Sequence, residues 1–281
     1  MGSYMKFYKM HGIGNDYIYF DCMHTQIENP EYLAKKLSDR HFSIGGDGII
    51  LLCPSKIADC KMRMFNADGS EGKMCGNGIR CIGKLASDLG YIKKDSCTVE
   101  TLSGIKTLNF SYDNKGKVSF VKVNMGKPEL NGEKIPSLLS GEKVVNHPLE
   151  VGGKVYGVTL VSMGNPHCVI FEDPDFVDIQ SVGKLFENNP AFPDRVNTEF
   201  VKITGEREMK MRVWERGSGE TFACGTGACA SVVAAVLNGY FKKDEEVEVQ
   251  LLGGNLKITV TDEDVFMTGP ATLAFTGDVE I

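Results

Sequence analysis

Two cysteines occupy matching settings in the sequence, each directly before a glycine-containing turn and a helical apolar pattern. Cys75 lies in "MCGNGIRC" (74–81) and Cys224 in "ACGTGACA" (223–230). The first amides of a helix have no intrahelical partner, and together with the helix dipole they stabilise an anion. We therefore predict that each thiol has a pKa below the ordinary value of about 8.5, beside glycine backbone that a ligand can approach closely.

A pair of such thiols suits one reaction in particular. If the two halves of the chain face each other, one thiolate can remove an α-proton while the other thiol delivers a proton to the opposite face of the same carbon. Helix amides directed at the substrate carboxylate would stabilise the carbanion-like transition state. The duplication thus favours an epimerase or racemase with two acid-base residues over an enzyme with one.

The sequence around the two cysteines repeats at low identity. With an offset of 149 residues (224 − 75), six further pairs match: Arg63 and Arg212, Phe65 and Trp214, Glu71 and Glu220, Gly76 and Gly225, Gly78 and Gly227, Tyr91 and Tyr240. Upstream, "GNDYIYFD" (14–21) resembles "GNPHCVIFED" (164–173), where Asn15 aligns with Asn165 at an offset of 150. Two copies of one module of roughly 120–150 residues are therefore predicted.

Hydrophobic patterns predict the same elements in both copies. Partly alternating, β-branched runs such as "KMRVWE" are typical of strands. After each cysteine the apolar residues recur with helical spacing, and a further helix is predicted at 30–39. Residues 126–150 are rich in Gly, Pro and polar residues, which predicts a linker. The chain is expected to be an α+β protein in which each half is a mostly antiparallel sheet that holds one long apolar helix.

Composition narrows the class of protein. The chain has 281 residues, 42% of them hydrophobic and 24% charged, with a net charge of −6. That charge disfavours a nucleic-acid or anionic-membrane surface, and no apolar run approaches the roughly 20 residues of a membrane helix. Nine cysteines, an odd number, and the lack of a secretory pattern predict reduced thiols in the cytoplasm.

Most of the other cysteines are expected to be buried packing residues. This prediction covers Cys22, Cys53, Cys60 and Cys97, which lie in strand-like surroundings, and the helix-face residues Cys81 and Cys229. Cys75, Cys81, Cys224 and Cys229 would make a poor zinc site, because their spacing does not match that of zinc-ligand pairs. We predict no metal.

Five segments resemble the diaminopimelate epimerase family: "MHGIGNDY", "MCGNGIRC", "GNPHCVIF", "RVNTEF" and "ERGSGETFACGTGACA". The resemblance extends along nearly the whole chain. It implies interconversion of LL- and meso-2,6-diaminopimelate without pyridoxal phosphate or another cofactor, in lysine and peptidoglycan precursor synthesis. It also implies a homodimer of two-domain subunits, with domains at 1–123 plus 269–281 and at 124–268 and the active site in the interdomain cleft.

The same resemblance implies residue roles. Cys75 and Cys224 correspond to the two catalytic acid-base residues, and His167 and Glu215 to residues that tune the thiols. Two pairs correspond to the amides that bind the reacting carboxylate: Gly76 and Asn77, Gly225 and Thr226. The remaining substrate-binding positions are Asn15, Asn66, Asn165, Asn197, Glu215 and Arg216. One departure is Gly48 in "IGGDGI", where many members carry Gln.

Two other interpretations compete with this one. Proline and hydroxyproline racemases share the two-cysteine plan, but they resemble MCGHG and DRSPCGTG where this chain has "MCGNG" and "ERGSGETFACGTG". Alternatively, Cys75 and Cys224 could form a reversible disulfide in a non-catalytic redox switch. An epimerase needs both sulfurs reduced, whereas a switch would act through that bond.

Overall fold

The structure is a computed structural model that describes residues 4–139 and 141–280. The chain divides into two compact units, which we call unit 1 (Met1–Asn124 and Thr268–Ile281) and unit 2 (Met125–Met267). Residues 1–3, 140 and 281 belong to the domains predicted from the sequence but lie outside the described residues.

The elements of unit 1 follow one another along the chain and end with a strand that comes after unit 2. They are β1 (Tyr4–Gly12), β2 (Asn15–Asp21), α1 (Pro30–Ser38), β3 (Gly48–Cys53), β4 (Cys60–Asn66), β5 (Glu71–Gly72), α2 (Gly76–Asp88), β6 (Ser96–Thr101), β7 (Gly104–Tyr112), β8 (Val118–Gly126) and β18 (Thr272–Glu280). The last strand, β18, pairs antiparallel with β1, from Tyr4 opposite Glu280 to His11 opposite Thr272.

Unit 2 contains the elements between the two chain crossings, which fall within β8 and β17. They are β9 (His147–Val151), β10 (Lys154–Ser162), β11 (Pro166–Ile170), a short 3-10 helix (Pro174–Phe176), α3 (Ile179–Glu187), β12 (Asn197–Gly205), β13 (Glu208–Glu215), β14 (Gly219–Glu220), α4 (Gly225–Leu237), β15 (Glu246–Leu251), β16 (Gly254–Val260) and β17 (Val265–Pro270).

The predicted repeat is confirmed by the order and pairing of these elements. Helices α1 and α3 begin at Pro30 and Ile179, and helices α2 and α4 at Gly76 and Gly225, both 149 residues apart (179 − 30 and 225 − 76). Strand pairs β2–β3 and β11–β12 are parallel, β3–β4 and β12–β13 are antiparallel, and β4–β6 and β13–β15 are parallel. Each unit is therefore a mixed sheet with the same internal plan.

Each unit holds one long buried helix against several of its strands. Helix α2 contacts β1, β2, β3, β4, β6 and β7, and α4 contacts β10, β11, β12, β13 and β16. Cys81 and Cys229 are fully buried in these helices, as predicted for packing residues. Helix α2 also buries Arg80, whose guanidinium donates to the carbonyl oxygen of Pro270 at 3.1 Å and to Asn77 Oδ1 at 2.9 Å. The charge is tolerated because its donors are satisfied.

The core of unit 2 corrects one prediction. Residues 126–150 were expected to form a linker, but Ile135 and Val144 are only 2% exposed and belong to the same hydrophobic cluster as Phe186 and Phe200. The segment is therefore a packed part of unit 2. Its glycines and prolines reflect the lack of long regular elements, which composition alone does not distinguish from a free linker.

No helix among residues 4–139 and 141–280 is long and apolar enough to span a membrane.

The Phe186→Ala substitution should lower the free energy of unfolding by about 3–5 kcal/mol. The ring is fully buried and meets Tyr156 and Phe200 edge to face, with centroids 5.1 and 6.0 Å away. Urea unfolding can be followed by the fluorescence of Trp214, the single tryptophan, which packs against this core. Phe176→Ala is the control because Phe176 is 89% exposed, and it should change stability by no more than about 0.5 kcal/mol. Equal losses in both variants would contradict this description of the core.

Candidate active site

The two cysteines of interest cap the two central helices in the same way. Cys75 is the N-cap of α2, with extended backbone (φ −123°, ψ 121°), and Cys224 is the N-cap of α4 (φ −115°, ψ 105°). Each sulfur accepts a hydrogen bond from the amide three residues later, Gly78 or Gly227, at 3.3 Å. The predicted helix-start position is thus confirmed for both residues.

The first helical residues after each cysteine are those predicted to bind a carboxylate. Gly76 and Asn77 open α2, and Gly225 and Thr226 open α4. Amides in the first turn of a helix have no intrahelical acceptor, and the helix dipole favours an anion beside them. This geometry is suited to a carboxylate at either helix start.

In unit 1, Cys75 is linked to a polar chain of residues. Its thiol donates to Asn15 Oδ1 at 3.2 Å, and Asn15 Nδ2 donates to Asp47 Oδ2 at 2.7 Å. Asp47 also accepts from the backbone amide of Asp16 at 3.1 Å. Asp47 therefore fixes which way the Asn15 amide faces, so that the Asn15 oxygen is directed at the sulfur.

The series of hydrogen bonds from Cys75 through Asn15 to Asp47 ends in a cluster of oppositely charged side chains. Arg40 donates to Asp16 at 2.6 Å and to Asp47 at 2.9 Å, and the Lys9 ammonium lies 2.5 Å from Asp16. Burial acts to raise the pKa of Asp16, but hydrogen bonds from Arg40 and Lys9 outweigh it and hold the pKa below its usual value. The cluster is not predicted by the sequence, because its members join only in the folded unit.

Asn66 and Gly48 lie opposite each other on β4 and β3. Asn66 Nδ2 donates to Ser70 Oγ at 3.0 Å. Gly48 has φ +153°, and a Cβ atom there would collide with the carbonyl oxygen of Phe65 and with the ring of Tyr17. This backbone leaves no room for a side chain at position 48, so Gly48 has only backbone groups to offer a ligand.

In unit 2, a buried His–Glu pair packs against the first turn of α4. His167 Nδ1 is 2.6 Å from Glu199 Oε1, and both side chains are fully buried. His167 Nε2 is 3.1 Å from Asn165 Oδ1, while Asn165 Nδ2 donates to Thr226 Oγ1 at 3.3 Å. Both ring nitrogens thus have an oxygen atom within hydrogen-bond distance.

The Glu199 carboxylate approaches the first turn of α4 closely. A Cβ atom on Gly227 would lie 2.7 Å from Glu199 Oε1, so only glycine leaves room for this carboxylate. The other carboxylate oxygen, Oε2, has no hydrogen-bond partner among the described residues. Glu199 was not among the residues predicted from the sequence, although it lies in the "RVNTEF" segment beside Asn197.

Glu215 is the second carboxylate near Cys224. It accepts from Thr221 Oγ1 at 2.5 Å, and its charge raises the pKa of the neighbouring Cys224 thiol. Although the residue as a whole is only partly buried, burial of its carboxyl group raises the pKa of Glu215.

The pKa of Cys224 corrects a second prediction. We expected the helix start to lower the pKa of both thiols, but the pKa of Cys224 is raised well above its usual value. Burial is the largest cause, followed by the charges of Glu215 and Glu199, whereas hydrogen bonds with Thr226 and Gly227 act in the opposite direction. The capping amide is therefore outweighed by a dry site with two carboxylates, and Cys224 is held as a thiol.

Asn197 and Arg216 meet at the end of β13. The buried Asn197 side chain accepts the backbone amide of Arg216 at 2.9 Å. The Arg216 guanidinium extends outward and donates to the carbonyl oxygen of Asp194 at 3.1 Å. Glu215 and Arg216 thus face different partners, Thr221 and Asp194.

Comparison of the two copies shows that different side chains pack against the helix starts that follow the two cysteines. The positions that correspond to His167 and Glu199 of unit 2 are Tyr17 and Ile50 in unit 1 (167 − 17 = 150 and 199 − 50 = 149). A Cβ atom on Gly78 would meet the Ile50 side chain at 2.6 Å, whereas one on Gly227 would meet the Glu199 carboxylate. The helix start at Cys75 therefore packs against the apolar side chain of Ile50, and the helix start at Cys224 packs against the carboxylate of Glu199. Comparing the two copies position by position is the signal that would have found Glu199 in the sequence.

Within residues 4–139 and 141–280, no group of three or more His, Cys, Asp or Glu residues is arranged to hold a metal ion.

Solved structures establish the fold class. A phenazine biosynthesis protein of the PhzF family from Bacillus anthracis aligns with a TM-score of 0.72 at 18% identity, covering 99% of this chain and 100% of its own. A probable proline racemase from Agrobacterium radiobacter aligns with a TM-score of 0.74 at 12% identity, covering 99% and 93%. A hydroxyproline epimerase from Agrobacterium vitis gives 0.72 at 13% identity, covering 100% and 94%. The protein has the two-domain α+β fold that these structures share.

Sequence comparison narrows the class to a family. The family model described as diaminopimelate epimerase matches residues 7–131 and 159–274. A diaminopimelate epimerase from Acetivibrio thermocellus is 51% identical over 280 residues, covering 99% of each chain. One from Methanococcus maripaludis strain S2 is 50% identical, covering 99% of this chain and all of its own. The chain belongs to the diaminopimelate epimerase family.

The Glu215→Gln substitution should speed alkylation of Cys224 by iodoacetamide at pH 8. Removing a negative charge that raises the pKa of Cys224 increases its thiolate fraction, by about tenfold for each pKa unit. Mass spectrometry with fragment-ion assignment measures the rate, and the fully buried Cys229 serves as the reference. Glu172→Gln, which removes a carboxylate of the same unit that pairs with Lys154, should leave the rate unchanged. A Glu215→Gln rate at or below that of the unsubstituted protein would contradict the electrostatic role of Glu215.

Proposed function

We propose that the protein interconverts LL- and meso-2,6-diaminopimelate by a two-base mechanism with Cys75 and Cys224, without a cofactor. The observation that carries the proposal is the duplicated N-cap: two cysteines, one in each unit, with matching backbone geometry and matching bonds from the third amide of a buried helix. Membership in the diaminopimelate epimerase family supports the choice of substrate.

The reaction requires one base and one acid on opposite faces of the reacting α-carbon. In the direction where Cys75 acts first, its thiolate removes the α-proton and the Cys224 thiol delivers a proton to the other face. The raised pKa of Cys224 supports its role as the proton donor in the resting enzyme. After turnover the protonation states are exchanged, and the reverse reaction uses the same two residues in the opposite roles.

Charge that develops during proton removal is delocalised into the substrate carboxylate. The first-turn amides at Gly76 and Asn77, and at Gly225 and Thr226, are suited to bind that group. Because these dipoles are fixed before the substrate arrives, they stabilise the transition state without reorganisation. The reacting carboxylate is therefore assigned to the helix starts rather than to a cationic side chain.

The polar residues around each cysteine have distinct roles in this scheme. Asn15 directs its oxygen at the Cys75 thiol and is itself oriented by Asp47. In unit 2, His167 is oriented by Glu199 and bonds to Asn165, which also contacts Thr226. His167 and Glu215 tune the protonation of Cys224.

The far end of diaminopimelate carries a second amino-acid group that must be held so that one centre alone reacts. Arg216 has an exposed guanidinium suited to a bidentate bond with the remote carboxylate. Glu215 provides a counter-charge for an ammonium group, and the amides of Asn66, Asn165 and Asn197 complete the set of donors and acceptors.

We further propose that the enzyme is a cytoplasmic homodimer. This proposal rests on the family resemblance and on the composition, with nine free cysteines and a net charge of −6. Native mass spectrometry or sedimentation equilibrium at micromolar concentration would measure the oligomeric state.

In D₂O, the reduced protein should incorporate deuterium from solvent at one α-carbon of LL-diaminopimelate. Cys75→Ala and Cys224→Ala should each reduce this exchange by at least 100-fold, because each removes one of two required acid-base groups. Cys229→Ala, one turn further along α4, should retain exchange. Proton NMR measures the incorporation. Turnover that persists in both catalytic-cysteine variants would overturn the two-base proposal, whereas a lack of exchange in the unsubstituted, reduced protein would favour the non-catalytic redox switch.

The Arg216→Met substitution should weaken binding of diaminopimelate by about 10- to 150-fold, equivalent to a loss of about 1.5–3 kcal/mol for a charge-assisted hydrogen bond. The effect should appear in KM and in the dissociation constant from calorimetry. Arg207→Met, which removes another exposed guanidinium of unit 2, should leave affinity unchanged. If Arg216→Met binds as tightly as the unsubstituted protein, the remote carboxylate is held elsewhere.

A further inference from the structure

A second pair of cysteines, Cys22 and Cys53, lies side by side in unit 1, apart from the candidate active-site residues. Strands β2 and β3 are parallel with Asp21 opposite Leu52, and the amide of Cys22 donates to the carbonyl oxygen of Leu52 at 2.8 Å. The next positions along the two strands are Cys22 and Cys53. Neighbouring strands are about 4.7–4.9 Å apart, within the roughly 4.4–6.8 Å Cα separation of a disulfide.

The two thiols also point to the same face of the sheet. Alternate residues of each strand, Ile18, Phe20 and Cys22 in one and Ile49, Leu51 and Cys53 in the other, pack into a single hydrophobic cluster. The two thiols are close enough for each to be the largest influence on the pKa of the other. Disulfide formation at this position therefore requires no change of strand register or of side-chain face.

Cys53 is the member of the pair with the lower pKa. The neighbouring Cys22 thiol is the largest cause that lowers the pKa of Cys53; burial opposes it, and the charges of Arg63 and Lys61 lower the pKa further. Cys53 packs against the hydrophobic cluster, as predicted, but it is half-buried rather than fully buried. Both cysteines line a cavity of about 440 Å³ that is also lined by Lys61 and Arg63.

Two other cysteines of unit 1 provide an internal comparison. Cys60 and Cys97 are 0% and 1% exposed. Burial raises the pKa of Cys60 to about 12 and also raises that of Cys97. They lie in the adjacent strands β4 and β6 and are buried, whereas Cys22 and Cys53 line the cavity. If proximity alone decided oxidation, both pairs would be oxidised equally. The lowered pKa of the Cys53 thiol and access from the cavity favour oxidation of Cys22 and Cys53.

The first pair is separate from the candidate active site. Cys53 ends β3, and Gly48, beside Asp47, begins it. Five residue steps along a strand span about 16 Å.

We propose that Cys22 and Cys53 are a peroxide-reactive dithiol that forms a reversible disulfide between β2 and β3. The Cys53 thiolate attacks one oxygen of a hydroperoxide, the O–O bond breaks, and the leaving alkoxide or hydroxide takes up the proton that Cys53 released. Cys22 then attacks the sulfenic sulfur, the S–S bond forms, and the sulfenic hydroxyl leaves as water. Two thiols are oxidised by two electrons in total, and one hydroperoxide is reduced to an alcohol or to water.

Peptide mapping of the folded, full-length protein tests this proposal, because trypsin places the four cysteines on separate peptides: 10–35, 41–56, 57–61 and 95–106. After limited hydrogen peroxide treatment, the 10–35 and 41–56 peptides should appear as a disulfide-linked pair at least tenfold faster than Cys60 or Cys97 is oxidised. Dithiothreitol should separate them. Absence of the linked pair, or oxidation of all four cysteines at one rate, would overturn the proposal.

Single substitutions separate the two roles. In Cys22→Ser, sulfenic acid should accumulate at Cys53 and be trapped by dimedone, whereas in Cys53→Ser, Cys22 should stay reduced. Cys60→Ser is the control and should form the linked pair at the unsubstituted rate. The same oxidation in concentrated urea tests the role of the fold: the link should form there no faster than any other pair. Equal yields of the 22–53 link in folded and unfolded protein would show that the strand geometry does not matter.

Discussion

The structure depends on one contact made twice: a sulfur that accepts the third amide of a buried helix. This contact fixes the cysteine in an extended conformation at the point where the chain turns into the helix. The first two amides of the helix have no intrahelical acceptor, so they are suited to bind a carboxylate. The surrounding strands hold the helix, so the position of the thiol is set by the packing of the whole unit rather than by a loop.

The same contact does not determine the chemistry of the sulfur. Cys224 makes the same bond as Cys75, yet its pKa is raised because burial and two carboxylates outweigh the capping amide. The duplicated backbone thus sets the position of each thiol, and the side chains packed around it set the pKa of the thiol. A His–Glu pair in one copy and Tyr17 with Ile50 in the other make the two thiols unequal inside a repeated frame.

Much of the fold was predictable because its signals are local or periodic. The repeat offset of 149 residues located both central helices, and α1 follows the apolar pattern predicted at 30–39. The packing of residues 126–150 was missed, because burial of isolated residues such as Ile135 leaves no periodic pattern. Asp47 and Glu199 were missed for another reason: each acts through a partner distant in sequence, Asn15 or His167, and a single carboxylate in a loop or strand has many ordinary explanations.

The pairing of β18 with β1 has a consequence for synthesis of the protein. Unit 2 is one continuous stretch, Met125–Met267, and all its residues are made before β18. Unit 1 begins first on the ribosome, but its strand β1 lacks one neighbour until residues 272–280 emerge. The half of the chain that is translated first is therefore completed last, and during elongation the edge of β1 remains open to pairing with other strands.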